Sequence, residues 1–383
     1  MVGTWSEQSL AELRKIGDPV ADAVVNQLFA DGGTSSVNDL MRTLVMNDGM
    51  PPEQLPPIVR AYLKSSAPLP GVDTAKVALG EKLFGRLGPE MLAVLGFYGL
   101  PMDYAAGKGV QVLYRTAYLA KRPMRRVLET TQMVVDVMSP GGLSPEGRGV
   151  RTAQKVRLMH AAVRHLIRHD PSTPWDSAVL GVPINQEDMA GTLMTFAYIV
   201  LAGLERLALP VSTAERDAYF YCWTVIGHIM GVREDLIPAT VDAGRNLAWL
   251  IFKQQGESSP QGKALASDLI KGYQQLLPFP LHGMPASMMH FFLQQEALTG
   301  RNIADMLSVP APDWTLGVTR LAVGLDEFLT KHGIENPLSS KLAGLVGREF
   351  IRGFLRAERV NRTPFSIPLS LHEEWAIGPA DAS

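Results

Sequence analysis

Cysteine is nearly missing from this chain: 383 residues contain one, Cys222. No intramolecular disulfide can form, no cysteine-rich zinc site can be built, and the Cys-x-x-Cys-His signature of covalently attached haem is absent. Charge is also sparse, at 19% of residues with a net charge of −2. That leaves no general electrostatic footprint for nucleic acid or an anionic membrane surface. There is no Gly-x-Ser-x-Gly elbow, Walker loop or dinucleotide fingerprint, so hydrolase, ATPase and nicotinamide-enzyme readings lose their usual warrant. Runs of alternating strand pattern and internal repeats are lacking too.

What is present is helical periodicity in a globular composition, 46% hydrophobic. The spacing predicts an all-α chain, and no proline- or glycine-rich stretch is long enough to be a flexible linker. One domain over residues 1–383 is therefore expected. Individual helices are expected at Val20–Phe29, ended by a loop over Asp31–Ser36, and at Thr74–Leu87, Pro89–Gly99, Met102–Leu119 and Met124–Val137. Others are expected at Ala214–Met230, Pro238–Gln255, Gly262–Leu277, Pro285–Leu298, Trp314–His332 and Leu338–Leu355. Ser212 or Thr213 with Glu215 gives the Ala214–Met230 helix an N-cap signature. Met189–Leu204 is the most apolar run. Its length and its interruptions predict a buried central helix, not a membrane span. The N-terminus, MVGTWSEQSLAELRK, has no basic stretch leading into an apolar one, which reads as a cytoplasmic chain.

The organising stretch is Val150–Asp170, VRTAQKVRLMHAAVRHLIRHD, closed by Asp170-Pro171. As a helix it places Arg157, His160 and Arg164 close together on one face. An imidazole framed by two guanidinium groups suits an axial haem ligand with propionate-binding neighbours. It equally suits a buried histidine beside two arginines in structural ion pairs, and spacing alone favours that plainer reading. His165 and His169 have the i, i+4 spacing of paired ligands, but Arg164 and Arg168 crowd them, and a solvated basic face fits better than zinc. His228, on an apolar helix, is a core histidine or a pocket residue. Arg126, Glu129 and Thr130 share a helix face by i, i+3, i+4 spacing. Seventeen methionines suit core filling and, in part, an adaptable apolar surface.

Five segments together carry a resemblance: GDPVAD (Gly17–Asp22), RRVLETTQMVVDVMSPGGL (Arg125–Leu143), KVRLMHAAVRHLI (Lys155–Ile167), INQEDMAGTLMTFAYIVLAGLERL (Ile184–Leu207) and YCWTVIGHIMGVREDLIP (Tyr221–Pro238). In this order they resemble the latex clearing proteins. These are rubber oxygenases in a wider group that includes the fungal membrane-bound oxygenase of mycophenolic acid synthesis. The resemblance implies a globin-like, haem-binding core, roughly residues 75–300, extended by additional helices, with non-covalent haem b and O₂ as co-substrate. It implies His160 as the iron's axial ligand, with Arg157, Arg164, His165 and His228 around the cofactor and Arg126 and Thr130 on the opposite, reactive side. Glu129 stands where the family carries a lysine able to cap the iron, which suggests a more open pocket and makes Glu129 a candidate base. The implied reaction is oxidative cleavage of C=C bonds in poly(cis-1,4-isoprene) to aldehyde and ketone ends. A smaller prenyl or lipid substrate, or a non-catalytic haem- or lipid-binding role, stands beside it. The implied partner is an apolar isoprenoid polymer or oligomer, and family members are typically secreted.

Overall fold

A computed structural model describes residues 5–46, 55–65, 71–120, 123–294, 300–331, 341, 344–349 and 351–353. Among them the chain is helical throughout, and the only β pairing is an isolated bridge between Ala106 and Gly256. In chain order the helices are α1 (Glu7–Leu13), α2 (Pro19–Met46), α3 (Pro57–Ser65), α4 (Thr74–Val94), α5 (Leu100–Tyr104) and α6 (Val110–Ala120). There follow α7 (Pro123–Met138), α8 (Arg148–His169), α9 (Ser177–Leu180), α10 (Gln186–Met194), α11 (Val200–Arg206) and α12 (Thr213–Ile229). The remainder are α13 (Val241–Gln255), α14 (Pro260–Leu276), α15 (Met284–Leu293), α16 (Ile303–Met306) and α17 (Trp314–Lys331).

Local chemistry sets many of the boundaries. Ser212 and Glu215 form a reciprocal capping box that starts α12, and Thr240 and Ser259 cap α13 and α14 through their side chains, each satisfying a backbone N–H the helix leaves orphaned. The Val20–Phe29 helix is longer than its sequence suggests. α2 runs on through Gly32 and Gly33, against the weak helix propensity of two glycines. The expected pair at Thr74–Leu87 and Pro89–Gly99 is one helix with a kink at Leu87 (φ −122°, ψ 18°), where Pro89 removes a backbone donor. Met102–Leu119 divides into α5 and α6 at Ala105–Gly109, and the short α9 and α16 were not foreseen. Residues 295–299, 332–340 and 354–355, the ends of three expected helices, lie outside the described residues.

Two π-helical turns, Leu95–Gly99 and Thr195–Ile199, join α4 to α5 and α10 to α11 and pack against each other. Through the second turn Gln186–Arg206 becomes one continuous 21-residue helix, long and apolar enough by composition to cross a membrane but 72% buried within the protein. The sequence reading of that run as too short is thus corrected, while its place at the centre stands. The main core gathers around it, with Phe196 stacked on Trp223 at 4.7 Å. A second apolar cluster, including Val24, Val25, Val59, Tyr62, Leu158, Ala161 and Ala162, joins α2 and α3 to α8.

Candidate active site

α8 has two working faces. Toward α2 it buries Leu158, Ala161 and Ala162 together with its two flanking arginines. Arg157 donates from Nε and Nη2 to the two carboxylate oxygens of Asp18, at 2.5 and 2.8 Å, and from Nη1 to the Ile229 carbonyl at 3.1 Å. Arg164 donates to Asp22 and to the carbonyls of Pro183 and Ile184 at 3.0 and 2.9 Å. Every guanidinium nitrogen of both residues is therefore occupied. Gly17 and Gly231 are small because of these pairs: a Cβ at Gly231, where φ is +80°, would sit 2.5 Å from Arg157 Nε. The GDPVAD motif thus acts as a clamp, its aspartates one turn apart gripping arginines two turns apart.

The other face of α8 carries Val156, Met159, His160 and Val163, within an arc of about 100°. All four keep some accessible surface, although protein surrounds His160 on every side. Its Nδ1 is sealed from solvent and has no hydrogen-bond partner. Burial, then the positive charges of Arg164 and Arg126, push its pKa down to about 4. At neutral pH the ring is uncharged, the form in which imidazole ligates metal.

Arg126, Tyr104, Asp103 and Asp188 share this combination of depth and accessible surface. Side chains walled in by protein yet reachable by solvent line an internal crevice. Arg126 acts electrostatically on His160, Tyr104 on Arg126, and Asp103 on Tyr104, so the groups follow one another from α8 through α7 to α5. Arg126 donates from Nη1 to the Leu113 carbonyl at 3.0 Å and the Thr116 hydroxyl at 2.5 Å, which ties it to α6. Thr130, one turn on, lines a small cavity with Leu92, Leu95, Gly96, Leu100, Val127, Thr131 and Tyr273, of about 10 Å³, room for about one water.

The sequence-derived candidates thus separate. His160, Arg126 and Thr130 stand on or beside the interior space. Arg157 and Arg164 pair with Asp18 and Asp22 and donate to three backbone carbonyls, the contacts that the ion-pair reading describes. His165 lies on the α2 side, Nδ1 at 2.8 Å from Asn26 Oδ1, its ring stacked between Phe29 and His169 at 3.9 and 4.1 Å. That placement removes it from the surroundings of His160. Glu129 is part-exposed, pairs with Arg125 at 2.8 Å in an i, i+4 contact and acts electrostatically on Arg126. His228 is half-buried near the end of α12, its pKa lowered by burial against the opposing pull of Glu234.

Sequence reasoning missed a buried polar group at the start of α10. Arg14 donates to Glu187 and Asp188, both at 2.8 Å, and Gln255 donates to Glu187 at 2.9 Å. Glu187 is fully buried, and burial raises its pKa to about 7 against the pull of Arg14. Asp103 likewise rises to about 7, by burial first and then the negative charge of Asp188. The available signal was two acids, Glu187-Asp188, opening an otherwise apolar helix. For Asp103, a lone acid in LPMDYAA, there was none.

Fold and site together define a class: an all-helical protein that sets a neutral imidazole against an internal crevice lined by arginine, tyrosine and aspartate. Residues 83–329 match the family described as ER-bound oxygenase mpaB/B'/rubber oxygenase, catalytic domain, and the chain belongs to this family of oxygenases. It is 28% identical over 275 residues to a rubber oxygenase of Streptomyces sp. (strain K30), covering 70% of this chain and 67% of that protein. Its fold is similar to a solved structure of latex clearing protein LCP in the closed state, with a TM-score of 0.74, 23% identity and coverage of 93% of this chain and 96% of the other.

Proposed function

We propose that this oxygenase holds b-type haem non-covalently on His160 and uses O₂ to cleave double bonds of poly(cis-1,4-isoprene), leaving aldehyde and ketone ends. The observation that carries the reading is His160 itself: a deep, neutral imidazole with no hydrogen bond at either ring nitrogen, its Nδ1 sealed and the rest of the ring keeping some accessible surface. The structural histidine His290 also leaves its Nδ1 unpartnered but bonds the Pro310 carbonyl through Nε2 at 2.9 Å, whereas neither ring nitrogen of His160 has a hydrogen bond. Membership of the oxygenase family and the resemblance to a rubber oxygenase supply the reaction class and the substrate.

Bound haem would supply the O₂ chemistry that amino-acid side chains lack. The chain's own residues prepare the space. Asp18 and Asp22 hold Arg157 and Arg164, and so fix the helix that presents His160. Burial, then the charges of Arg164 and Arg126, keep the imidazole neutral, available as a ligand rather than a cation. Val156, Met159 and Val163 give the His160 face an apolar surface suited to an apolar macrocycle and to exclusion of water. Arg126, anchored to Leu113 and Thr116, is a fixed positive charge near His160 and would favour negative charge developing beside it.

The test is the visible absorption spectrum of the purified, haem-supplemented protein beside His160→Ala, followed by chromatography of carbonyl products from polyisoprene. A Soret band lost in the variant, with carbonyl-ended oligomers from the unmutated protein only, is expected. Absence of the band after haem supplementation would overturn the reading. Cleavage of short prenyl compounds with none of the polymer would move the substrate to the smaller class.

A further inference from the structure

Resting on that functional reading, we propose that Asp103, held by Thr195, is the proton-exchanging group of the crevice. Its free carboxyl oxygen gives a proton to an oxygen atom of the reacting group and takes it back.

The geometry separates the two carboxyl oxygens. Oδ1 accepts a hydrogen bond from Thr195 Oγ1 at 2.7 Å, and no hydrogen bond holds the second oxygen. That oxygen is not sealed, since the side chain is partly accessible and is missing from the unpartnered atoms fully enclosed by protein. One oxygen fixed and one open to the crevice is the arrangement a general acid or base needs.

The scaffold reinforces it. Thr195 opens the Thr195–Ile199 π turn, and π turns cluster at functional sites because they aim a side chain that a regular helix would not. The facing π turn ends at Gly99, where a Cβ would meet Thr195 Cγ2 at 2.9 Å. The close contact of the two turns therefore sets the position of the Thr195 hydroxyl.

The charged and titratable groups around Asp103 are accounted for by element. From α10 comes Asp188, itself held by Arg14 and Asn185. Tyr104 is the next residue along α5 and connects onward to Arg126 of α7 and Asp268 of α14. The adjoining π turns bring the Thr195 hydroxyl and no charge. Burial and Asp188 favour the protonated form, Thr195 the ionised one, and the balance near neutrality lets one group serve as both acid and base. The other acids lack part of this: Glu129 is engaged at the surface by Arg125, and Glu187 has no exposed surface. One alkene and one O₂ give two carbonyls without a net proton, so the proton that leaves Asp103 returns within each turnover.

Difference infrared spectra of the purified chain against Asp103→Asn, over about pH 5–9 and with no haem added, test the group directly. A protonated-carboxyl band that fades near neutral pH and is missing from the variant is expected. In the haem-loaded protein, Asp103→Asn should keep the Soret band while polyisoprene cleavage falls by about 10²-fold or more and its pH dependence flattens. An unchanged infrared signal or an unchanged pH–rate profile in Asp103→Asn overturns the proposal. Should Asp103→Asn fail to fold, Thr195→Val decides: loss of a hydrogen bond to the ionised form raises the infrared midpoint, and an unmoved midpoint counts against the pair. A missing Soret band in the unmutated protein is a separate failure, of the haem reading, and the infrared measurement still reports on Asp103.

Discussion

The two faces of α8 treat charge in opposite ways. On the α2 side, two arginines meet two aspartates and three carbonyls, and each guanidinium nitrogen is matched. On the other side, an imidazole near two positive charges has no hydrogen bond at either nitrogen, and on α5 the Asp103 carboxyl keeps one oxygen unbonded. Buried polar groups without partners are costly. A fold that satisfies one side of a helix so fully and leaves the other unmet concentrates that cost on one face. The matched face holds the helix still, and the unmatched face is the part that works.

Removing one partner from the matched face should have the largest effect on stability. Asp18→Ala leaves the Arg157 guanidinium buried and unpaired, with its side chain 10% exposed, and such a loss costs about 3–5 kcal/mol. Denaturant unfolding measures it, and a change below about 1 kcal/mol would show that the clamp is not a structural pair.

The unmatched face should instead reveal itself through pH. His160, with a pKa held down to about 4 by burial and then by Arg164 and Arg126, contributes stability that is present above its unfolded value of 6.5 and is lost as pH falls from there toward 4. Asp103, raised to about 7 from 3.8 mainly by burial, contributes in the reverse sense: its share is full below pH 3.8 and is lost as pH rises through 7. Over pH 4–6.5 the two oppose, each by at most about 1.4 kcal/mol per pH unit. Unfolding free energies of His160→Gln and Asp103→Asn across that window should deviate from the unmutated protein with slopes of opposite sign. Slopes of the same sign would contradict the electrostatic account of the crevice.

Glu129→Gln should do least. The Arg125–Glu129 pair is exposed on both sides, 42% and 39%, and such contacts contribute about 0.5 kcal/mol or less. Urea midpoint and cleavage rate should both stay close to the unmutated values, whereas a hundredfold loss of rate would return Glu129 to the reacting centre.

Much of the architecture was legible from periodicity and caps. The α12 boundary followed from Ser212 and Glu215, and the end of α8 from Asp170-Pro171. Where the reading failed, no local signal announced the outcome: α2 passes through two glycines, and Leu95–Gly99 and Thr195–Ile199 wind as π turns. At the site, the i, i+3 and i+4 spacing set Arg157, His160 and Arg164 about one turn apart along α8. It could not say that the arginines turn toward Asp18 and Asp22, about 140 residues earlier in the chain. Nor could it show that Asp103 and Thr195, 92 residues apart, share a hydrogen bond.

The sequence by itself determined the helices, the central apolar run and the histidine between two arginines, because these depend on residue types a few positions apart. Which of those polar groups are matched and which face the crevice unmatched was decided only by the tertiary structure. Matching a buried charge requires a partner brought from elsewhere in the chain, and burial shifts a pKa only once neighbouring helices have closed around the group.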